Sequence, residues 1–478
     1  MHTPTLLPWL LVLLALLPTG LMAADRPVFR AGAHAENINP LKYPVSVNGG
    51  FSDRQARAAV DPLHARCLVL DDGKTRLALC VVDSCMVPRE IVEEAKRLTT
   101  KATGIPASHI LISATHTHTA PTLTPVFQSR PDKSYVETLP ARIAAGIEKA
   151  YKNLEPAQIG WGWADNPRQV FNRRWFRQRD LIPRDPFGGT TDQVQMNPGY
   201  QAKGLVKPAG PVDPRVSILA VRSAAGRPIA LYANYSLHYV GGVEPLSADY
   251  FGAFADRISG LLGSADQKPA FVAALSNGAS GDVNNINFGS SAPGPRKPGE
   301  QMRLVAHDVA NTAMEAYKKM TFRDWVSLDA ACEDLQLGVR RPTEKDLARA
   351  REMLARVKGR ELRGAEEVYA SETVGLASYP STVPVALQAL RIGELGICAI
   401  PCEVFAEIGL ELRSRSPLKD TFTVSLANGY NGYLPTPQQH KLGGYETWRA
   451  RSSYLEVNAS THIVAKLLEL LQQVQKTR

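Results

Sequence analysis

After its first two dozen residues, the sequence has no apolar run near the roughly 20 residues needed to cross a bilayer. It also has no dense basic stretch: the net charge is +9, but the lysines and arginines are scattered. That excludes a basic arm for nucleic acid, and no nucleic-acid partner is expected. Peripheral contact with an anionic membrane surface stays open. No period of 20 to 50 residues repeats, which excludes solenoids and propellers. Cysteine is sparse, with six residues: Cys67, Cys80, Cys85, Cys332, Cys398 and Cys402. Their spacings match no zinc ribbon, and most lie in apolar runs, so buried thiols are expected. Cys67 and Cys80 flank a turn at "DDGK" and form the best candidate for a disulfide. Histidine is scarcer than its chemistry would suggest, with 10 in 478 residues.

The N-terminus reads as a secretory leader. "MHTPTLLPWLLVLLALLPTGLMAAD" has an apolar centre from Leu6 to Leu17, then Pro18 and Gly20, then small residues at Ala23 and Ala24. Residues 1–24 are expected to be removed, leaving a mature chain, 25–478, that is secreted or periplasmic. Its length suits two or three ordinary domains or one large one. Hydrophobic residues at 44% and charged residues at 21% suit a globular protein with a sizeable core.

Strand and helix signals alternate along the chain. "TRLALCVVD" reads as a buried strand ending at Asp83. "PREIVEEAKRLTTKATG" has helical spacing, with Pro88 at its start and Gly104 after it. "HILISATHTH" is the next strand, completing a β-α-β unit. "VSILAVRS" and "PIALYANYSLH" read as neighbouring strands, and "SADYFGAFADRISGLLG" as a helix. "PAFVAALSNGASGDVNN" is a strand entering a Gly/Asn-rich loop, and "EQMRLVAHDVANTAMEAYKKM" an amphipathic helix. "IGELGICAIPCEVFAEIGLELRSR" is a hairpin strand followed by a helix opening near Pro401, and Ser460 to Gln475 is a last helix. Residues 177–210 and 288–298 read as irregular. The pattern predicts an α/β fold with mixed β-sheets flanked by helices.

Ligand sites in β-α-β units lie beyond the C-terminal strand ends. "ILISATHTHTAP" places His116 and His118 there, two residues apart, where strand geometry points both side chains to one face. His238 ends "ALYANYSLH" in the same way. Glu403 follows the apolar run "GICAIPCE", and Asp282 lies in "SNGASGDVNN". Histidines and carboxylates gathered at strand ends fit a metal-centred hydrolase, because a catalytic zinc takes about three protein ligands. A dinuclear metallo-β-lactamase-like site is disfavoured, since Thr119 stands where its aspartate is expected.

The segments "ISATHTHTAP", "NYSLHYVGG…LSADYFG", "SNGASGDVNN", "AIPCEVF" and "NGYNGYLPT…GGYETW" stand in the order of corresponding segments in the neutral (non-lysosomal) ceramidases. From about "NINPL" onward the chain resembles that family's catalytic domain. The resemblance implies a zinc ion held by His116, His238, Glu403 and Tyr433. It also implies a second tyrosine at Tyr445, a substrate-binding arginine at Arg173 in "VFNRRWF", and His118 beside the metal. The implied activity is hydrolysis of the amide bond of ceramide or another N-acyl amide, with a lipid or small-molecule amide as partner. Tyr445, Arg173, His118 and Asp282 are the expected catalytic groups.

Two departures bear on substrate. Asn284 in "GDVNN" stands at the family's substrate-contacting serine, so it is expected to bind substrate with a changed hydrogen-bonding pattern. The family's C-terminal immunoglobulin-like domain is expected to be absent. Ceramide is therefore expected to be a poor substrate. A metal-dependent esterase or amidase on a non-lipid substrate, or a binding protein retaining the fold, are the alternative readings.

Overall fold

The computed structural model describes residues 27–476. The expected leader lies outside the described residues.

Eight strands form the main sheet, in the order 272–277, 228–235, 215–223, 155–165, 30–37, 64–71, 76–82 and 110–114. Pairing is antiparallel except at the two edges. Arg76–Val82 runs parallel to Ile110–Ala114, and Pro228–Tyr235 runs parallel to Val272–Asn277. Each parallel pair is joined through a helix, Arg89–Thr103 or Asp249–Leu261. A second, four-stranded sheet has the order 328–338, 382–392, 395–399, 420–424. The mixed α/β architecture expected from the sequence is present.

The layering follows from side-chain alternation. Leu77, Leu79 and Val81 face a core shared with Leu390, Ile392, Ile397 and Phe422 of the second sheet. Ala78, Cys80 and Val82 face the opposite way, onto Ile91, Val92 and Ala95 of the first helix and Leu139, Ile143 and Ile147 of helix Lys133–Lys152. Helices Asp249–Leu261 and Glu300–Lys319 cover the other half of that face. Helices Ala406–Arg415 and Ala459–Lys476 cover the outer face of the small sheet. The result is four layers: helices, sheet, sheet, helices. Strands buried on both faces read as continuous apolar runs rather than alternating ones, which is why they were legible in the sequence.

The edges of the large sheet meet at their C-terminal ends. Residues 425–428, continuing from the small sheet, strap them together. Ser425 N donates to Asn277 O (2.9 Å), Ala114 N to Leu426 O (3.0 Å) and Asn428 N to Ile112 O (2.8 Å). Asn277 Nδ2 reaches across to Thr115 O at 3.1 Å. Ends of strands distant in sheet order therefore converge on one place.

Three expectations change. The helix placed near Pro401 begins at Ala406. Glu403–Val404 is instead a short extended segment paired in parallel with Tyr433–Leu434. Within 177–210, Val194–Met196 and Leu205–Pro208 pair on either side of Arg174–Arg177. Strands of three or four residues are too short to show a period. Cys67 and Cys80 are cross-strand neighbours, as the turn implied, but their sulfurs are 3.6 Å apart and both are thiols. Burial, then the neighbouring sulfur, push the Cys67 thiol well above its ordinary pKa. Unfolded, unreduced protein is expected to titrate with six thiols. A count short by two would show that the pair is bridged.

Candidate metal centre

Strand Ile110–Ala114 ends before the histidines, and His116 takes a left-handed backbone (φ 72°). The same-face rule for strands therefore does not apply to His116 and His118. A turn brings them together, and the threonines between and after them fasten it. Thr117 Oγ1 and Thr119 Oγ1 both donate to Ser247 O, at 2.8 and 3.0 Å. His116 N donates to Ser84 O at 2.9 Å, tying the turn to the end of the neighbouring strand.

Each histidine is oriented by a backbone carbonyl. Nδ1 of His116 donates to Cys85 O (2.7 Å), Nδ1 of His118 to Gly49 O (2.9 Å) and Nδ1 of His238 to Ser280 O (3.1 Å). The carbonyls draw the ring proton to Nδ1, so that in the neutral ring each Nε2 is a lone pair. The three Nε2 atoms converge: His116 lies 3.0 Å from His238 and 3.2 Å from His118. Glu403 Oε2 is 3.2 Å from His116 Nε2 and 3.9 Å from His238 Nε2. Gly49 (φ 108°) permits this approach, because a Cβ there would stand 2.5 Å from the His118 ring.

These groups fit a zinc ion. Two nitrogens each about 2.0–2.1 Å from a tetrahedral zinc stand roughly 3.3–3.4 Å apart, close to the spacings here. Glu403 Oε2 is buried without a hydrogen-bond donor, while Oε1 accepts from Tyr430 OH at 3.1 Å. His116, His238 and Glu403 form one group within ligating reach, and Cys85, His116 and His118 another. Burial alone would lower the pKa of His116; Glu403 and then Cys85 outweigh it and raise it to about 10. The cluster thus attracts positive charge at its centre. Burial, with neighbouring cations, holds His118 and His238 well below the ordinary value. Arg173 Nη1 also points at His238 Nε2, at 3.2 Å, and that contact gives way when a cation takes the lone pair.

The register pairing Glu403 with Tyr433 sets their side chains next to each other. Tyr433 OH accepts from Arg173 Nη2 at 3.1 Å. Tyr445 lies beside it, with ring centroids 5.8 Å apart. His116, His118, Glu403, Tyr430, Tyr433 and Tyr445 line one cleft of about 380 Å³.

His238 and Arg173 stand behind the cleft, in contact with its residues, whereas Asp282 and Asn284 spend their side chains outside this cluster. Asp282 is wholly buried, and its carboxylate accepts from Ala406 N (2.9 Å) and Asn172 Nδ2 (2.7 Å). It caps the 406–415 helix, where a carboxylate is favoured by the unpaired N–H groups. Burial, opposed by those two hydrogen bonds, raises its pKa to about 6. Asn284 donates Nδ2 to Asn197 Oδ1 (2.9 Å), beyond strand 194–196, and accepts from Ile286 N (3.0 Å) of its own loop. Cys85, Tyr430 and Glu446 were not singled out by sequence. Tyr430 and Glu446 lie within "NGYNGYLPT" and "GGYETW", but nothing in those strings distinguishes them from their neighbours.

No family model and no curated protein matches the sequence. Solved structures do match the fold. A neutral ceramidase from Pseudomonas aeruginosa superposes with a TM-score of 0.69 at 16% identity, covering 94% of this chain and 74% of that one. A ceramidase complexed with C2 gives a TM-score of 0.70, also at 16% identity, covering 94% and 75%. The structural neighbours of this chain are ceramidases, and it has the fold of the neutral ceramidases.

Proposed function

We propose that the chain is a zinc-dependent hydrolase of N-acyl amides, exported from the cell. The observation that carries the reading is the convergence of three histidine Nε2 lone pairs beside a donorless Glu403 oxygen. His116, His238 and Glu403 would hold the ion, with Tyr433 beside them. Zinc, when bound, supplies Lewis acidity and brings the pKa of water down to about 7. The ceramidase fold supports amide hydrolysis as the reaction class, by analogy of fold.

The chain's own groups suit that chemistry. The Arg173 guanidinium is buried and held by Glu446, Gly281 O and Tyr433 OH, so its charge is preorganised where negative charge develops on a carbonyl oxygen. Burial, then Glu403, hold the Tyr445 phenol well above its ordinary pKa, so it stays a hydrogen-bond donor. His118 is neutral and stacked on Tyr239 at 3.7 Å, with Nε2 available to take a proton and pass it to a leaving amine.

The surroundings favour an amphiphilic substrate. Tyr445 also lines a groove of about 600 Å³ with Phe51, Ile182, Met196 and Trp448, suited to an acyl chain. Phe127 separates the metal cleft from a basin of about 1180 Å³ that includes Gln128, Arg130, Arg360 and Glu361, suited to a polar head. That division supports a more polar amide than ceramide.

Elemental analysis should give about one zinc per chain, as for mononuclear catalytic sites. Chelation should abolish hydrolysis of N-acyl amides and zinc should restore it. If zinc-loaded protein hydrolyses neither N-acyl amides nor esters, the reading fails. Asn284→Ser is expected to leave unchanged the kcat/KM ratio between ceramide and a short polar N-acyl amide, because the Asn284 amide is spent on Asn197 and Ile286. A clear shift toward ceramide would restore it as a substrate contact.

A further inference from the structure

Arg173 and Arg174 are consecutive, yet both donate to one carboxylate. Arg173 Nε reaches Glu446 Oε1 at 2.9 Å, and Arg174 Nη1 reaches Glu446 Oε2 at 2.6 Å. Glu446 and Arg174 are wholly buried and Arg173 nearly so. Arg174 does not touch the metal cleft. Its remaining nitrogens are spent on Gln439 Oε1 (3.1 Å), Gln439 O (3.3 Å) and Gly443 O (2.7 Å). It is therefore an anchor, fixing the carboxylate from behind. Arg173 is the working partner, with Nη1 and Nη2 directed at His238, Gly281 O and Tyr433 OH.

Glu446 also sits in the short turn Tyr445–Thr447, directly after Tyr445. That turn is itself pinned: Ser453 Oγ donates to Glu446 O (2.8 Å) and Arg340 Nη1 to Thr447 O (2.9 Å). One carboxylate thus joins the segment carrying Tyr445 to the arginine beside the histidines, 273 residues earlier. Two adjacent arginines aimed at one acceptor would repel each other without its charge.

We propose that Glu446 is a positioning residue of this site: it sets where the Arg173 guanidinium and the Tyr445 hydroxyl stand relative to the substrate carbonyl. The proposal rests on the amide-hydrolase reading for its kinetic consequence, but its geometric consequence stands alone. Because a buried carboxylate shared by two guanidiniums is also a folding element, the test needs readouts that folding would not move.

The test uses full-length, zinc-loaded Glu446→Gln, Glu446→Asp, Arg173→Gln and the Glu446→Gln/Arg173→Gln pair. Glu446→Gln should lower kcat per zinc-loaded site by at least about tenfold, with KM for an N-acyl amide little changed, the pattern for an interaction made only in the transition state. The double variant should be no slower than Arg173→Gln alone, since groups acting as a unit are non-additive. Glu446→Asp, which keeps the charge but sets it back by one methylene, should turn over at a rate between those of the wild type and Glu446→Gln. A Glu446→Gln protein that melts lower but turns over normally per zinc-loaded site would overturn the proposal, as would multiplicative effects in the double variant. A crystal structure supplies the readout without turnover. Arg173 Nη2 should leave Gly281 O and Tyr433 OH in Glu446→Gln or, if that variant does not fold, shift with the shortened carboxylate in Glu446→Asp. An unmoved Arg173 overturns the proposal even if the wild-type protein hydrolyses nothing in the panel, an outcome that would sink only the hydrolase reading.

Discussion

His238→Ala should leave the protein folded but unable to retain zinc. The imidazole is one of two in the group that also contains Glu403 and that would hold the ion. Loss of even an outer partner of a metal ligand costs about 10–100-fold in affinity, so losing the ligand itself should exceed that range. Three readouts should move together. Zinc content after dialysis should drop from about one per chain to a trace, by the mononuclear logic of such sites. Amide hydrolysis should fall with it. The rise in Tm on adding zinc should vanish, because a ligand that binds only the folded state contributes about 2.7 kcal/mol at a hundredfold excess over its Kd. A His238→Ala protein whose Tm still climbs with zinc would show that the ion binds elsewhere. The group of Cys85, His116 and His118 would then be the site to examine.

The second large effect is on stability. Asp83 has no solvent exposure, and its Oδ2 accepts from Arg66 Nη1 and from His64 N at 2.8 Å. Arg66 is itself 7% exposed. Asp83→Ala strands that guanidinium in the interior, which costs about 3–5 kcal/mol when a buried pair is broken from one side. Replacing both, as Asp83→Leu with Arg66→Met, should cost much less, because the pair also bears its own desolvation. The direction of the Asp83 pKa agrees: burial raises it, against the pull of Arg66. A folded-state pKa above the unfolded value means that this group's contribution to stability declines as pH rises through that interval. Urea denaturation of the single and double variants measures the difference. Equal losses would show that the damage is to packing rather than charge. Because Ser84 and Cys85 hold the His116 turn, the single variant should also bind zinc more weakly.

The parts of this protein that were legible in its sequence are those where one physical demand repeats over many residues. Leu77 to Val82 is apolar on both faces because it lies between two cores, and Arg89–Thr103 shows its helical spacing between Pro88 and Gly104. The histidines were legible because they are scarce and stand at the ends of such strands. What the strand pattern did not show is that a left-handed residue, rather than a strand pleat, brings His116 and His118 together. Glu446 was illegible for a different reason. Its role depends on two arginines at 173 and 174, and no local pattern encodes a partner so distant. A position within a familiar string does not say where a side chain is spent, and that of Asn284 reaches Asn197.

The strap at residues 425–428 has a consequence for the order of folding. His116 follows one edge strand of the large sheet, His238 follows the neighbour of the other edge, and Glu403 lies in the short pair that follows strand 395–399 of the second sheet. No segment of the chain carries two of the three residues of that group, and the backbone strap between the edges forms only once the strand at 420–424 has docked and its continuation has crossed between them. A metal centre built on these residues would be complete only after both sheets have docked. Tight zinc binding would report that both sheets, and the seam between them, are complete.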